Sequence, residues 1–233
     1  MDFEDAIRMV PKLGFRGVNL TIPYKQAILP LADAVSDRAA LIGAANTITF
    51  REDGSIYADN TDGVGFLDSV REAVPNWLAN SGPALVLGAG GAARAIVSAL
   101  VTAGVPEIRI ANRTRQKADM LAEHFGARIS AVDWARLSEA SDGVAMIVNT
   151  TALGMVGKPT LQIPLDHSAP GCLAIDIVYN PLETVFLADA RAAGLVPVDG
   201  LGMLLHQAVP GFESWFGRRP QVDKDLRDAV LRA

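Results

Sequence analysis

The sequence contains one cysteine, Cys172, in 233 residues, so no internal disulfide can form. No amino-terminal basic stretch leads into an apolar signal core, and a reducing, cytoplasmic setting is the expected compartment. Clustered positive charge is also scarce. The formal net charge is -5 and the pI about 5.2, with basic residues scattered along the chain, so nothing supplies the electropositive face that nucleic acid demands. No uninterrupted apolar run suits a membrane span. Residues 84–105 come nearest, with Arg94 as their only charge, but Gly88, Gly90 and Gly91 divide them into a buried strand, a turn and a helix. The three histidines, His124, His167 and His206, stand apart in the chain, and no metal site is expected. Internal repeats and low-complexity tracts are absent as well.

What the chain does have is ample apolar material, 50% of its residues, enough for one large domain or two modest ones. Apolar residues Phe3, Ile7, Val10 and Leu13 recur near helical spacing before Gly14, which predicts a first helix over 2–13. A strand is expected over 17–22, then a short helix carrying Lys25, opened by Pro23, and a serine-capped helix over 36–42. A hairpin pairs 46–50 with 55–59 through the polar turn Arg51-Glu52-Asp53-Gly54. Asn60-Thr61-Asp62-Gly63 then supplies capping side chains for a helix toward Val74 and puts Asp62 at the positive end of its dipole. Beyond Pro83 strands near 84–87, 107–111, 127–131, 144–148, 173–177 and 195–198 alternate with helical stretches, the pattern of a doubly wound parallel sheet. Helices over 203–216 and 222–231 are too few for a domain and are expected to pack back on the first lobe. The predicted organisation is α/β: a Rossmann-type nucleotide-binding domain over 81–202, plus a smaller discontinuous α/β lobe from 1–80 and 203–233.

Chemistry concentrates in three places. Ala84 to Arg94 reads as a hydrophobic strand, a glycine turn and a helix start. Gly88 permits the tight turn, Gly90 removes a Cβ that would block a pyrophosphate, and Ala93 lets the helix approach the sheet. The alternative is a tight βα turn with no ligand. At the end of the second strand the acid that usually holds an unphosphorylated ribose is missing. Asn112-Arg113-Thr114-Arg115-Gln116-Lys117 offers three cations instead, which suit a 2′-phosphate and point to NADP; a solvated basic turn is the competing reading. Lys25 and Asp62 form the third feature. A lysine positioned by a carboxylate can take the proton when a hydride leaves a secondary alcohol, and Lys25 is one of five lysines beside sixteen arginines. The competing readings are a surface lysine and a simple helix cap.

Seven ordered motifs make the chain resemble the shikimate dehydrogenase family: Asn19 to Lys25, Gly43 to Thr47, Asn60 to Gly63, Gly88 to Arg94, Asn112 to Thr114, Tyr179 to Thr184 and Gly200 to Leu204. The resemblance implies NADP-dependent interconversion of 3-dehydroshikimate and shikimate, a step toward aromatic amino acids by way of chorismate, in two lobes separated by a cleft. It implies Lys25 and Asp62 as the catalytic pair, with Thr21, Asn46, Tyr179 and Gln207 on the substrate. It further implies Gly88, Gly90, Gly91, Ala92, Asn112, Arg113, Thr114, Lys117, Gly200 and Met203 on the cofactor. Family members carry several dozen residues ahead of the first helix, including a strand and a serine-x-serine motif that holds the substrate carboxylate. A shortened or alternatively started form is therefore expected, with an unpaired sheet edge that favours self-association as a homodimer. Two further readings stay open: a quinate/shikimate dehydrogenase of broader specificity, and a non-catalytic NADP-binding homologue.

Overall fold

The structure is a computed structural model that describes residues 2–21 and 23–232. The chain divides into two compact units, one of Met1–Gly65 with Leu205–Ala233 and one of Phe66–Leu204. Among the described residues the strands form two sheets, one in each unit.

The first unit opens with helix α1 (Phe3–Met9), capped by Asp2, whose carboxylate accepts the Asp5 N–H. Pro11 then tightens the predicted single helix into a 3-10 turn over Val10–Leu13. Strand β1 (Gly17–Asn19) is shorter than the expected 17–22 because the Tyr24 N–H bonds the Thr21 carbonyl and turns the chain; Ile22 lies outside the described residues. The short helix α2 (Tyr24–Ala27) carries Lys25. A two-residue strand, β2 (Ala34–Val35), follows; it is too short to leave a period in the sequence. Helix α3 (Asp37–Ile42) has the expected serine cap, Ser36 Oγ accepting the Ala39 N–H. The predicted hairpin is β3 (Thr47–Phe50) with β4 (Ile56–Asp59), and the sheet order is β1-β3-β4-β2, with only the β4–β2 pair parallel. Its core is a modest group of Ile7, Ile28, Ala39, Ala45, Ile48, Ile56 and Ala58. Helix α4 (Asp62–Ala73) follows the hairpin.

The second unit holds six parallel strands: β5 (Ala84–Leu87), β6 (Ile108–Ala111), β7 (Ile129–Val132), β8 (Met146–Asn149), β9 (Leu173–Asp176) and β10 (Val196–Val198). Each falls within or beside its predicted stretch. The order β10-β9-β8-β5-β6-β7 reverses direction between β5 and β8, the switch point of a dinucleotide fold. Helices α5 (Gly91–Ala103), α6 (Arg115–Phe125), α7 (Leu137–Ala140) and α8 (Val185–Ala192) accompany the strands. Alternate strand residues enter two separate apolar clusters: Ala84, Val86, Ile108, Ile110, Met146 and Val148 in one, Leu85, Leu87, Ala111 and Ile147 in the other. Both faces are thus covered, which is why these strands read as continuous apolar runs. Each fully buried Leu or Ile side chain contributes about 1.5–3 kcal/mol.

The chain then enters α9 (Gly200–Phe216) and ends with α10 (Lys224–Arg232). Helix α9 starts earlier than the predicted Met203 because Asp199 Oδ1 accepts the Leu201 N–H and caps it. Its last turns pack on the first unit, where the Trp215 indole donates to the Ile48 carbonyl at 2.9 Å. The units divide inside α4 and α9, not at the expected 80/81 and 202/203, because Phe66, Val70 and Met203 belong to an apolar cluster of the second unit. Among the described residues no helix is long and apolar enough to cross a membrane.

Cys172, leading into β9, is buried in the second apolar cluster, and burial pushes its thiol up to about 11. Thiolate is the reactive form, so iodoacetamide at pH 7.5 should leave the native protein unlabelled and modify Cys172 fully in urea. Labelling of native protein at the rate of a free thiol would show that the β9 entry opens.

Candidate active site

Lys25 and Asp62 meet in the first unit. The Lys25 ammonium donates to Asp62 Oδ2 at 2.5 Å, with side-chain exposures of 18% and 6%. The lysine therefore keeps one accessible side while the carboxylate is enclosed. Backbone geometry fixes both ends: the Lys25 carbonyl accepts the Ala45 N–H at 2.7 Å, and Asp62 begins α4 with its own N–H donated to Asn60 Oδ1 at 3.1 Å. Asn60 is anchored in turn by donating to the Ala44 carbonyl at 2.9 Å.

Asn46 is the hub. Its amide donates to Asp62 Oδ1 at 2.9 Å and to Gln207 Oε1 at 2.8 Å, while its Oδ1 accepts the Thr61 N–H at 2.8 Å. A backbone N–H can only donate, so the oxygen of Asn46 must face Thr61 and its NH₂ must face the two acceptors. The Thr61 hydroxyl donates to the Gln207 carbonyl at 2.8 Å and lies 2.8 Å from the Thr47 hydroxyl. Gln207 reaches this cluster because α4 has glycine at 65: a Cβ there would stand 2.5 Å from the Gln207 nitrogen. Of the six residues expected at the catalytic and substrate positions, the structure links Lys25, Asp62, Asn46 and Gln207. Thr21 is exposed on the turn before α2. Tyr179 belongs to the other unit, where it is 48% exposed just before the cis Asn180–Pro181 peptide. Sequence reading missed the supporting roles of Asn60, Thr61 and Thr47, since polar residues beside a helix start look like caps.

One step upstream, Arg38 and Asp59 form a second ion pair. Arg38 Nε donates to Asp59 Oδ1 at 2.6 Å and a terminal guanidinium nitrogen donates to Oδ2; Ser36 Oγ at 2.6 Å and the Asn60 N–H at 2.7 Å also donate to Oδ1. Burial acts to raise the Asp59 pKa, but the hydrogen bonds from Arg38 and Ser36 and the arginine charge outweigh it and hold the carboxyl below its ordinary value. This clamp fixes the residue that precedes Asn60 and so the entry to Asp62.

In the second unit the glycine turn has the shape that a pyrophosphate needs. Gly88 sits at φ +112, and a Cβ on it would lie 2.5 Å from Thr150 Oγ1. Gly90 caps α5 without a side-chain bond, and Gly91 and Ala92 form the first turn. Cβ atoms on Gly90 or Gly91 would meet nothing within 4 Å, so open space lies before a 13-residue helix whose first N–H groups carry no side-chain cap. These residues fit a dinucleotide phosphate. At the end of β6, Asn112 Nδ2 donates to the Thr114 carbonyl at 2.8 Å and shapes the turn, with Thr114 at the start of α6. Of the three cations there, Arg115 is engaged by Asp119 at 2.9 Å and Asp133 at 2.8 Å. Arg113 and Lys117 are exposed and form no ion pair among the described residues. Gly200 is the first residue of α9, and Met203 lies within the apolar cluster of the second unit.

A first unit with an enclosed lysine-carboxylate pair, and a Rossmann-type second unit with an open glycine turn, define a protein of the dinucleotide-dependent dehydrogenase class. The family models that match are the shikimate dehydrogenase substrate binding domain over residues 1–48, shikimate / quinate 5-dehydrogenase over 73–177, and the shikimate 5′-dehydrogenase C-terminal domain over 200–227. The NADP(+) shikimate dehydrogenase of Paracoccus denitrificans is 57% identical over 227 residues, which covers 97% of this chain and 80% of the relative. Among solved structures, quinate dehydrogenase from Corynebacterium glutamicum in complex with NAD has a TM-score of 0.92 at 33% identity, covering 100% of this chain and 83% of that one. Shikimate 5-dehydrogenase from Thermus thermophilus with NADP(H) and shikimate has a TM-score of 0.86 at 40% identity, covering 99% and 83%. The chain belongs to the shikimate dehydrogenase family.

The Arg38–Asp59 clamp carries a pH signature. A carboxyl whose folded pKa is depressed stabilises the fold above its unfolded pKa, and that contribution is lost as pH falls through the folded value. Arg38→Ala should therefore cost about 1 kcal/mol at pH 7, kept small by the exposed guanidinium, and the difference from wild type should shrink below about pH 4. Urea denaturation at pH 7, 5 and 3 checks this; a pH-independent difference would contradict it.

Proposed function

We propose that this protein interconverts 3-dehydroshikimate and shikimate, with NADP as the redox partner. The first unit would handle substrate and proton, the second the dinucleotide. The observation that carries the reading is the 2.5 Å contact between Lys25 Nζ and Asp62 Oδ2, held in place by Asn46, in a chain 57% identical to a named NADP(+) shikimate dehydrogenase. In the reducing direction bound NADPH supplies the hydride to the ring carbonyl carbon. The Lys25 ammonium donates a proton to the carbonyl oxygen, becomes a neutral amine and regains a proton from water; in the reverse direction the amine accepts the hydroxyl proton. Asp62 stays a carboxylate and aims the lysine, and Asn46 fixes the second oxygen of Asp62. Thr21 and Gln207 of the first unit would contact the ring hydroxyls and the carboxylate region. Gly88, Gly90, Gly91 and Ala92 would receive the pyrophosphate. Arg113 and Lys117, on the turn shaped by Asn112 and Thr114, would take the 2′-phosphate.

A second reading, quinate oxidation, is favoured by the TM-score of 0.92 to a quinate dehydrogenase. The absence of an acid at the β6 end favours NADP over the NAD bound by that neighbour. Steady-state rates on shikimate and quinate with each cofactor separate the two, and shikimate with NADP should be the fastest combination. Lys25→Ala should lower kcat by roughly 10²–10⁴-fold while NADPH affinity changes little. Turnover at the wild-type rate would refute the assignment.

A further inference from the structure

One fully buried ionisable group takes no part in the chemistry above. Asp176 ends β9 with 0% exposure and accepts three hydrogen bonds: Asn149 Nδ2 at 2.9 Å and the Val178 N–H at 3.0 Å on Oδ1, and Thr184 Oγ1 at 2.7 Å on Oδ2. The cost of hiding a carboxylate is large unless every lone pair facing the protein is used, so a position that could hold an apolar residue calls for a reason. Its partners supply one. Asn149 ends β8 beside the switch point; it also donates to the Leu153 carbonyl at 3.0 Å and accepts the Thr151 N–H at 3.0 Å and the Thr151 hydroxyl at 2.7 Å. Between them, Thr150 donates from both its N–H and its hydroxyl to the Leu87 carbonyl and stands against Gly88. On the other side Val178 leads to Tyr179, and Thr184 caps α8. The backbone at 177–178 is so close to the start of α9 that a Cβ on Gly200 would lie 2.5 Å from Ile177. One carboxylate thus ties loops 150–153 and 177–184 together at the carboxyl edge of β8 and β9.

In a doubly wound sheet the two mononucleotide halves of a dinucleotide lie on either side of the switch point. The β5–β6 side carries the glycine turn and the Asn112 to Lys117 turn, which leaves the β8–β9 side for the nicotinamide half. We propose that Asp176 is a positioning residue for that half: it holds loops 150–153 and 177–184 in the shape that receives the nicotinamide nucleotide. The inference rests on the NADP reading of this unit.

The test is calorimetric titration of the full chain with NADPH and with 2′,5′-ADP, the fragment that lacks the nicotinamide half. Asp176→Ala should weaken NADPH about tenfold and leave 2′,5′-ADP within about twofold. Asp176→Asn should restore NADPH to within about threefold, because its remaining oxygen still accepts from Val178 and Asn149 and the Thr184 hydroxyl can turn round to accept from the new amide. Should Asp176→Ala not fold, Thr184→Val removes one of the three bonds at constant shape, together with the long 3.4 Å cap to the Leu187 N–H, and should weaken NADPH about threefold with 2′,5′-ADP unchanged. Unchanged NADPH affinity in the alanine variant, or in Thr184→Val if alanine does not fold, overturns the role of Asp176, as does parallel weakening of both ligands. Wild-type protein that binds neither ligand overturns the cofactor reading along with it, whereas wild-type binding with indifferent variants overturns the positioning role alone.

Discussion

An enclosed carboxylate has to find a partner for each oxygen, and in the first unit Asp62 finds two: the Lys25 ammonium on Oδ2 and the Asn46 amide on Oδ1. Much of the surrounding architecture follows from that requirement. Asn46 can serve Asp62 only if its own oxygen is occupied, which Thr61 does from the residue just before Asp62. Lys25 can reach only because Ala45 holds its backbone. The hairpin, α2 and the start of α4 are therefore bound by one polar network at their shared end, and α9 joins it through Gln207. A half-satisfied network of this kind would be worse than an apolar core; this one is closed on every side except that of the lysine.

The second unit was the more legible in sequence, for a physical reason. Parallel strands buried on both faces write uninterrupted apolar runs, and the glycine turn and helix that follow β5 have a steric logic that can be read residue by residue. All six strands were expected near where they stand. Less was legible in the first unit. The two-residue β2 has no period to detect, the turn after Asn19 is set by a backbone bond from Tyr24 to Thr21, and α9 begins ahead of the expected Met203 because Asp199 caps the helix from outside.

For the site, sequence pattern supplied the participants but not their wiring. Lys25 and Asp62 stand 37 positions apart, and Asn46 and Gln207 161 apart, separations over which spacing carries no geometric information. Acid/base chemistry suggested the Lys25–Asp62 pair, and only the motif resemblance added Asn46 and Gln207 to it. The β6 turn shows the limit from the other direction: three cations within five residues looked equivalent, yet Arg115 is taken up by Asp119 and Asp133, leaving Arg113 and Lys117 as the cations with no ion pair among the described residues. Charge count predicted the sign of the turn, and the acids on α6 and beyond β7 decided which cations remain available.

The lysine-carboxylate pair could in principle be a structural tie. Energetics argue against that. Burying an ion pair gains little over well-packed apolar side chains of similar volume, because desolvation offsets most of the attraction. The fully buried cluster of the first unit holds only isoleucines and alanines, with larger apolar side chains such as Phe3, Leu20 and Phe50 packed partly buried against it, so a stability-driven design would have placed carbon at 25, 46 and 62. Instead these positions hold an ammonium, an amide and a carboxylate, with each acceptor matched to a donor. One open side remains on the lysine, whose proton can be given up far more readily than that of any arginine. A network whose other members are hydrogen-bonded and whose one partly open donor is a lysine has the asymmetry that the proposed proton transfer requires, and that asymmetry distinguishes it from the fully engaged Asp176 cluster, both of whose oxygens accept hydrogen bonds from the protein.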